Sequence, residues 1–208
     1  MKNIVVLVSG GGTNLQALID AQKRGEISQG KITCVISSNP NAYALTRAAE
    51  NGIETAVIRR RDYAEFEDYD RALTELLKSK NADVIVLAGF MTILGKGVIK
   101  AFENRIINIH PALIPSFCGE GYYGLRVHEE ALKKGVKVTG ATAHFVNEIC
   151  DGGPIILQKA VEVCDGDTPE ILQKRVMEQA EWKILPRAVA LFCEDKIKVI
   201  GAKTEITD

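Results

Sequence analysis

The feature that most constrains the fold is a pair of short, almost entirely apolar runs, NIVVLVS at residues 3–9 and DVIVLAGF at 83–90. Continuous apolar runs rich in β-branched residues are typical of strands that are buried on both faces of a parallel sheet. Amphipathic helical patterns lie between them, including one that starts near Leu15 and a longer one over 63–80. Alternation of this kind, which continues to residue 110, predicts a doubly wound α/β sheet with right-handed crossovers.

The remaining elements are predicted from shorter apolar runs and from helix start and stop signals. Further strands are expected at 31–38, 54–58 and 105–110, and further helices within 39–52 and 92–102. After residue 110 the pattern changes to a Gly/Tyr-rich loop at 117–124, a short helix at 127–135, and two strands at 140–146 and 154–163 that form an antiparallel hairpin. A long C-terminal helix over 168–193 is opened by Thr168 and Pro169, and 196–201 is expected to be one last edge strand.

Composition excludes several classes of protein. The chain has 208 residues, 46% of them hydrophobic, and a formal net charge of −1, which favours neither a nucleic acid nor an anionic membrane as partner. It contains neither an apolar stretch of about 18 residues nor a signal-peptide pattern, so we expect a cytoplasmic protein with one domain over 1–208. Its five cysteines show no CxxC spacing, which predicts reduced thiols and no structural zinc site.

The segment SGGGTN at 9–14 joins the first predicted strand to the first predicted helix. Glycines allow backbone N–H groups to approach an anion, and a helix N-terminus favours negative charge. The segment lacks the GK[ST] of a P-loop, and Leu15 stands where a dinucleotide fingerprint needs glycine. It therefore favours a monophosphate site, and the alternative is a plain tight turn between strand and helix.

The segment NIHP at 108–111 ends the strand predicted at 105–110. Alternate side chains of a strand share a face, so Asn108 and His110 should project together. Pro111 removes a backbone donor and favours an extended His110. An amide and an imidazole at the carboxyl end of a parallel strand predict a ligand site there, because ligands of such sheets bind at that end. The alternative is a core histidine that caps its own loop.

Three further features carry weaker signals. CDGGP at 150–154 puts Asp151 in a glycine turn, where an aspartate often serves only a local hydrogen bond. The basic run RRRDY at 59–63 is typical of a solvated surface. His128 and His144 have no ligand spacing that supports a metal, and we expect none.

Taken in order, the motifs VLVSGGGTNLQALI, VLAGFMTILG, INIHPALIPSF, HEEAL, GATAHFV and DGGPIILQ resemble those of the phosphoribosylglycinamide formyltransferase family. The resemblance runs from the N-terminus to about residue 190. It implies a Rossmann-like formyltransferase fold, with a phosphate- and nucleotide-binding half at about 1–100 and a folate and catalytic half at about 85–195. The family moves a formyl group from 10-formyltetrahydrofolate to the amine of glycinamide ribonucleotide during purine synthesis.

The resemblance implies a role for each matching position. The catalytic residues would be Asn108, His110 and Asp151, with Asp151 favouring the imidazolium form of His110. The 5′-phosphate would lie on Gly12, Thr13 and Asn14, and the ribose on Glu181. The folate would be held by Met91, Thr92, Ile93, Leu94, Asn108, Val146, Asn147, Glu148, Ile149, Cys150 and Asp151, with Arg61 at its acidic tail. The formyl group would pass directly from donor to acceptor in a monomer or homodimer without a metal.

The sequence also departs from the family pattern. The C-terminal helix is one residue longer before Glu181, Arg126 stands where a histidine is frequent, and Phe66 and Glu67 replace the basic residue that meets the folate tail. The family further suggests a cis peptide bond between Ile114 and Pro115. Three alternatives stay open: a methionyl-tRNA formyltransferase, a formyltetrahydrofolate hydrolase, and a non-catalytic nucleotide-binding α/β module. The first two are expected to need additional domains.

Overall fold

The computed structural model describes residues 1–207 and contains nine strands and seven α-helices in that range. The strands are β1 (Lys2–Val8), β2 (Gly30–Ser37), β3 (Glu54–Val57), β4 (Val84–Leu87), β5 (Ile106–His110), β6 (Val138–Phe145), β7 (Ile155–Glu162), β8 (Ile197–Ile200) and β9 (Lys203–Ile206). The helices are α1 (Thr13–Lys23), α2 (Tyr43–Glu50), α3 (Phe66–Ser79), α4 (Lys96–Ala101), α5 (Leu125–Lys134), α6 (Pro169–Val176) and α7 (Trp182–Cys193). A 3₁₀ turn precedes α3 (Arg60–Asp62), and a π-helical segment joins α6 to α7 (Met177–Glu181).

Seven strands form one sheet in the order β3-β2-β1-β4-β5-β6-β7. The first five strands of the chain pair in parallel, and β6 pairs antiparallel with both β5 and β7. The predicted α/β class, the mostly parallel sheet and the antiparallel hairpin are therefore confirmed. The strand order reverses its direction between β1 and β4, which is where doubly wound sheets open a crevice for ligands.

The apolar residues of β1 show why this sheet is buried on both faces. Ile4, Val6 and Val8 belong to the core that α1, α2, α5, α6 and α7 cover, whereas Val5 and Leu7 belong to the core under α3 and α4. All five are fully buried. Burial of one such side chain is worth about 1.5–3 kcal/mol, so continuous apolar strands of this kind can form only in the interior of a two-sided sandwich.

Helix α4 is shorter than the helix predicted over 92–102, and Asp70 of α3 explains where it begins. The Asp70 carboxylate accepts hydrogen bonds from the N–H groups of Gly97 at 2.7 Å and Val98 at 3.2 Å. A side chain at Gly95 would collide with this carboxylate. The glycines therefore make room for a cap from a neighbouring helix, which residue-by-residue helix signals do not show.

The long C-terminal helix is present, but it is interrupted. Thr168 caps its first turn, accepting from the N–H of Ile171 at 3.3 Å, and Pro169 follows as predicted. The π-helical segment widens one turn at Met177–Glu181, and Pro186 lies inside α7. A π-turn accommodates one additional residue without ending a helix, and such turns are frequent at functional sites.

The segment at 196–201, predicted as one last edge strand, contains a strand that does not join the seven-stranded sheet. It forms β8, which pairs only with β9 in a separate two-stranded sheet. Gly201, with φ of 59°, allows the chain to reverse directly after β8, so the partner strand is a local one. This small sheet contacts β7 through Thr204, whose Oγ1 donates to the carbonyl of Ile155 at 2.7 Å. Among the described residues, no helix has the length and apolar character needed to cross a membrane.

Candidate active site

At the carboxyl end of β5, four polar side chains from β5 and its neighbour β6 share one face of the sheet. Asn108 lies directly opposite His144 in the antiparallel register, and His110 lies opposite Thr142. Asn108 and His110 share a face, as strand alternation predicts. His110, Thr142 and His144 are buried, so this end of the strand is a polar pocket inside an apolar sheet.

Asp151 joins the two predicted strand residues from a separate loop. Its Oδ1 is 3.4 Å from the Nδ2 of Asn108, and its Oδ2 is 3.5 Å from the Nδ1 of His110. The N–H of Gly119 donates to the same Oδ2 at 2.9 Å. Asp151 has a left-handed backbone with φ of 53°, a conformation that aspartate adopts more readily than most residues. The structure therefore brings Asn108, His110 and Asp151 together.

His144 belongs to the same cluster, although the sequence suggested no role for it beyond a rejected metal site. Its Nδ1 is 2.8 Å from the carbonyl of Phe145, which can only accept, so Nδ1 carries a proton. Its Nε2 lies 3.2 Å from the Nδ2 of Asn108 and 3.6 Å from the Oδ1 of Asp151, and the Asn108 N–H₂ group faces both of these partners. The signal for His144 was its place opposite Asn108 in the hairpin, which requires the register between strands.

The Asp151 carboxylate is stabilised in its ionised form. Burial raises its pKa, but the contact with His144, the nearby His110 ring and the Gly119 N–H together outweigh burial and hold the pKa below its ordinary value. Asp151 is therefore a fixed negative charge next to His110 at neutral pH.

The protonation state of His110 differs from the imidazolium expected from the sequence. Burial lowers the pKa of His110 more than Asp151 and the Phe117 carbonyl raise it, and His144 lowers it further. The ring is therefore neutral at pH 7 in this structure. Its Nε2 lies 2.8 Å from the carbonyl of Phe117, and because a carbonyl only accepts, Nε2 carries the proton here.

The chain that follows His110 is held by Thr142 and Gln158. The Oγ1 of Thr142 donates to the carbonyl of Ala112 at 2.7 Å and accepts from the N–H of Ile114 at 3.1 Å. The Nε2 of Gln158 donates to the Ile114 carbonyl at 3.0 Å. The Ile114–Pro115 peptide is cis, as the family resemblance suggests. These contacts fix the direction in which the loop at 111–124 leaves the strand.

The glycine loop at 9–14 lies at the carboxyl end of β1, where α1 begins. Gly12 precedes the helix with φ of 75°, in the left-handed region that glycine adopts without strain. A Cβ at Gly12 would lie 2.7 Å from the Cβ of Ala44. Gly12, Thr13 and Asn14 are therefore placed as a cradle of backbone N–H groups at a helix N-terminus, which is a geometry suited to an anion.

Glu181 lies beside this loop, in the π-helical segment. Its Oε2 accepts from the Nδ2 of Asn14 at 2.7 Å. Burial raises the pKa of Glu181 to about 7, and the contact with Asn14 offsets this only in part. The Oδ1 of Asn14 is buried and has no protein partner among residues 1–207. Glu181 is the last residue of the π-helical segment, and its carboxylate reaches the loop from there.

The residues predicted to hold the folate lie in two loops that approach each other. Met91 to Leu94 connect β4 to α4, and Val146 to Asp151 follow β6. Lys96, the first residue of α4, pairs with Glu148 of the second loop at an Nζ–Oε2 distance of 3.4 Å. The predicted positions include exposed apolar side chains, Met91 and Ile93 in the first loop and Ile149 in the second. Thr92, Asn147 and Cys150 complete the two loops.

Arg61 is not brought into contact with these loops. It lies in the 3₁₀ turn before α3 and is exposed. The neighbouring Arg60 instead stacks over the ring of Phe66, with 5.7 Å between guanidinium carbon and ring centroid. Among residues 1–207 no group of three or more His, Cys, Asp or Glu side chains is arranged to hold a metal ion. His128 is buried, and burial lowers its pKa to about 4.

Comparisons with known proteins identify relatives over the whole chain. The model of the formyl transferase family matches residues 2–189. Phosphoribosylglycinamide formyltransferase of Haemophilus influenzae is 41% identical over 96% of this chain and 91% of its own length. Glycinamide ribonucleotide transformylase 1 of Symbiobacterium toebii superposes with a TM-score of 0.94 at 42% identity, over 100% of this chain and 95% of that one.

A formyltetrahydrofolate deformylase of Pseudomonas syringae is also similar, with a TM-score of 0.87 at 29% identity over 100% of this chain and 66% of its own. The lower identity and the unmatched third of the deformylase separate it from the two closer proteins. Family match, near-full-length identity and superposition therefore agree with the resemblance seen in the motifs: the chain belongs to the formyl transferases, in the phosphoribosylglycinamide formyltransferase family.

Proposed function

We propose that this protein transfers the formyl group of 10-formyltetrahydrofolate to the amine of 5-phosphoribosylglycinamide in de novo purine biosynthesis. One observation carries the proposal. The carboxyl ends of β1 and β5, separated in the sheet only by β4, present an anion cradle and the cluster of Asn108, His110 and Asp151 at the same edge. An acceptor with a phosphate at one end and an amine at the other spans this arrangement.

The acceptor half is assigned to the loop after β1 and to the π-helical segment. Backbone N–H groups at Gly12, Thr13 and Asn14 bind the 5′-phosphate, because a helix N-terminus favours a dianion. The Glu181 carboxylate binds the ribose hydroxyls. Its hydrogen bond from Asn14, at 2.7 Å, supports this role because it ties the two parts of the site together.

The donor half is assigned to the two loops that follow β4 and β6. The folate ring system lies between Met91–Leu94 and Val146–Asp151, where exposed Met91, Ile93 and Ile149 offer apolar surface and backbone groups offer hydrogen bonds. The exposed guanidinium of Arg61 meets the acidic tail of the folate. Arg61 is positively charged and exposed, and it follows Arg60 in the basic run at 59–63; these properties support this role.

Substrate binding must release His110 from its present contact. The Nε2 of His110 is held by the Phe117 carbonyl, so this carbonyl has to move before Nε2 can meet a reacting group. Once it moves, the ionised Asp151 favours the tautomer with its proton on Nδ1, since Nδ1–H can then donate to the carboxylate. That tautomer leaves the lone pair on Nε2, as a general base requires.

The reaction then proceeds by direct attack. The amine nitrogen bonds to the formyl carbon, the carbonyl oxygen becomes an oxyanion, and the proton lost by the amine passes to His110. The resulting imidazolium is stabilised by Asp151 and returns its proton to N10 as the C–N10 bond breaks. The Asn108 amide donates to the oxyanion with the N–H that faces Asp151 at 3.4 Å in the free protein. Removal of one such donor typically costs about 2.7–4 kcal/mol of barrier. A positioned acid–base group contributes about 10²–10⁴-fold.

The cosubstrate, the oligomeric state, the domain organisation and the location of the protein follow from this function. The cosubstrate is 10-formyltetrahydrofolate, no metal takes part, and the protein acts as a monomer or homodimer without nucleic acid. One domain over 1–208 carries both halves, with the nucleotide loop in about 1–100 and the folate and catalytic residues in about 85–195. The expected location is the cytoplasm, which agrees with five free cysteines.

A second candidate function is hydrolysis of 10-formyltetrahydrofolate, with water in place of the amine. The similarity to the Pseudomonas syringae deformylase favours it, since the fold is shared over the whole of this chain. The same His110 and Asp151 would activate the water. The Asn14–Glu181 pair argues for the transferase, because a hydrolase has no need of a phosphate and ribose site.

Substitution of Gly12 by valine tests the proposed division of the site. A side chain there meets Ala44 and an unfavourable backbone conformation, so the loop must move away from its present position. We expect the KM for the ribonucleotide to rise at least about tenfold while the KM for the folate changes less than about twofold. Equal effects on both substrates in steady-state transfer assays would contradict the assignment of the phosphate to this loop.

A further inference from the structure

The glycine loop is oriented by α2 as well as by the helix that it opens. The N–H of Ala44 in α2 donates to the Gly10 carbonyl at 3.1 Å. The Nε of Arg47, one turn later, donates to the Gly11 carbonyl at 2.9 Å. The Gly12 carbonyl accepts from the N–H of Gln16 within α1, also at 2.9 Å. Three successive carbonyl groups of the loop are thus held on its protein side.

The geometry of the peptide group determines where the N–H groups on the other side of the loop point. In a trans peptide the carbonyl of one residue and the N–H of the next point in opposite directions. When the carbonyls of Gly10, Gly11 and Gly12 face the protein, the N–H groups of Gly11, Gly12 and Thr13 face away from it. Within residues 1–207 these three N–H groups donate to no protein acceptor, and Gly11 and Thr13 are exposed.

Arg47 is itself fixed by two further neighbours, Gln16 and Tyr43. Its Nη1 donates to the Oε1 of Gln16 at 3.0 Å, and Gln16 in turn donates through Nε2 to Asp20 at 2.9 Å. The guanidinium carbon lies 5.0 Å from the ring centroid of Tyr43, a cation–π distance. A planar guanidinium held in this way can fix a carbonyl in direction, which a flexible ammonium group cannot do as well.

We propose that Arg47 is a positioning residue for phosphate recognition: it holds the Gly11 carbonyl and thereby aims the loop N–H groups at the phosphate of the ribonucleotide. It does so from behind the loop and does not touch the substrate. The proposal rests on the proposed function, which puts the phosphate at 10–14. Arg47, on α2, thereby determines how strongly the protein prefers a phosphorylated acceptor to an unphosphorylated one.

The test compares two ligands, glycinamide ribonucleotide and the corresponding ribonucleoside, by isothermal titration calorimetry on wild type, Arg47→Ala and Arg47→Lys. We expect Arg47→Ala to weaken ribonucleotide binding roughly ten- to a hundredfold. Binding of the ribonucleoside, the KM for the folate and kcat at saturation should stay within about twofold, since the loop meets only the phosphate. Arg47→Lys should restore only part of the affinity, because it keeps the charge and loses the fixed geometry.

Arg24→Ala is the matched control, because Arg24 lies at the far end of α1 and pairs with Glu26 at 2.6 Å. This substitution should change the affinity for neither ligand. Thermal unfolding of each variant reports on folding, and the Lys variant gives the test if the Ala variant is unstable. Full restoration by lysine, or equal loss for both ligands, would overturn the positioning role alone. Wild-type protein that binds both ligands equally would overturn the phosphate site, and with it this proposal.

Discussion

Asp151 organises the candidate active site at the scale of single residues. It contacts Asn108 and His110 of β5 and the N–H of Gly119 in the loop that follows this strand. Its charge is the main favourable influence on a protonated His110, whose pKa burial lowers. A residue in this position decides both the tautomer and the basicity of the imidazole.

Replacement of Asp151 by asparagine should therefore slow turnover and move the pH dependence. The proposed mechanism needs neutral His110, so we expect kcat/KM to fall as the pH drops through a pKa below 6.5. Without the carboxylate that pKa falls further, so the acid limb shifts to lower pH, and kcat falls about 10²–10⁴-fold because the imidazolium intermediate loses its partner. Thermal unfolding should change little.

The measurement is a pH–rate profile of both proteins, with Asp165→Asn as control. Asp165 is a fully exposed carboxylate whose Oδ1 is 3.6 Å from the Nζ of Lys137, on the surface. It should leave the profile unchanged. An Asp151→Asn profile that coincides with the wild type would contradict the role given to this residue.

The sequence predicted part of this site for a clear physical reason. Strand alternation is a local property, and it put Asn108 and His110 on one face. His144 was missed as a partner because its position opposite Asn108 depends on the register of the hairpin. The Phe117 carbonyl on His110 was missed because a loop backbone leaves no pattern in side-chain chemistry.

At the scale of elements, helix caps from neighbouring helices shape the loops that carry the site. The carboxylate of Asp70 holds the first N–H groups of α4, and α4 begins directly after the predicted folate loop 91–94. Apolar runs and helix patterns predicted that these elements exist. Their ends were less predictable, because a cap between α3 and α4, a π-turn at Met177–Glu181 and a local partner for β8 are all set by tertiary contacts.

Substitution of Asp70 by alanine should loosen α4 and the loop before it. Loss of a helix cap typically costs about 0.5–2 kcal/mol, so we expect a lower melting temperature and a smaller free energy of unfolding. The KM for the folate should rise more than the KM for the ribonucleotide, which binds at the other loop. Asp68→Ala is the control on the same helix, since within residues 1–207 Asp68 pairs only with exposed Arg71. Its loss should lower the free energy of unfolding by no more than about 0.5 kcal/mol. Equal destabilisation by both substitutions in denaturant titrations would argue against the cap.

At the scale of the whole molecule, sheet topology brings the two halves of the reaction together. The proposed phosphate loop follows β1, the proposed folate loop 91–94 follows β4, and Asn108 and His110 lie at the end of β5, all at one edge of the seven-stranded sheet. The antiparallel β6 ends opposite Ile107 instead, and Asp151 in the loop after β6 reaches back to Asn108 and His110. The direction of the strand order changes between β1 and β4, where doubly wound sheets open a crevice for ligands, and the proposed acceptor and donor loops lie at this point. The sequence predicted this class of sheet from continuous apolar strands. The positions of loops 9–14, 91–94 and 146–151 relative to one another depend on the order of the strands, which the sequence pattern does not show.

The most direct test of the account is whether loss of the formyl group from the folate depends on the acceptor. Purified protein is mixed with 10-formyltetrahydrofolate, with and without glycinamide ribonucleotide, and deformylation of the folate and formylation of the ribonucleotide are followed together. We predict that deformylation requires the ribonucleotide, matches its formylation one for one, and falls about 10²–10⁴-fold in His110→Ala. Deformylation at the same rate without the ribonucleotide would identify a hydrolase, and no deformylation under either condition would contradict an enzymatic role.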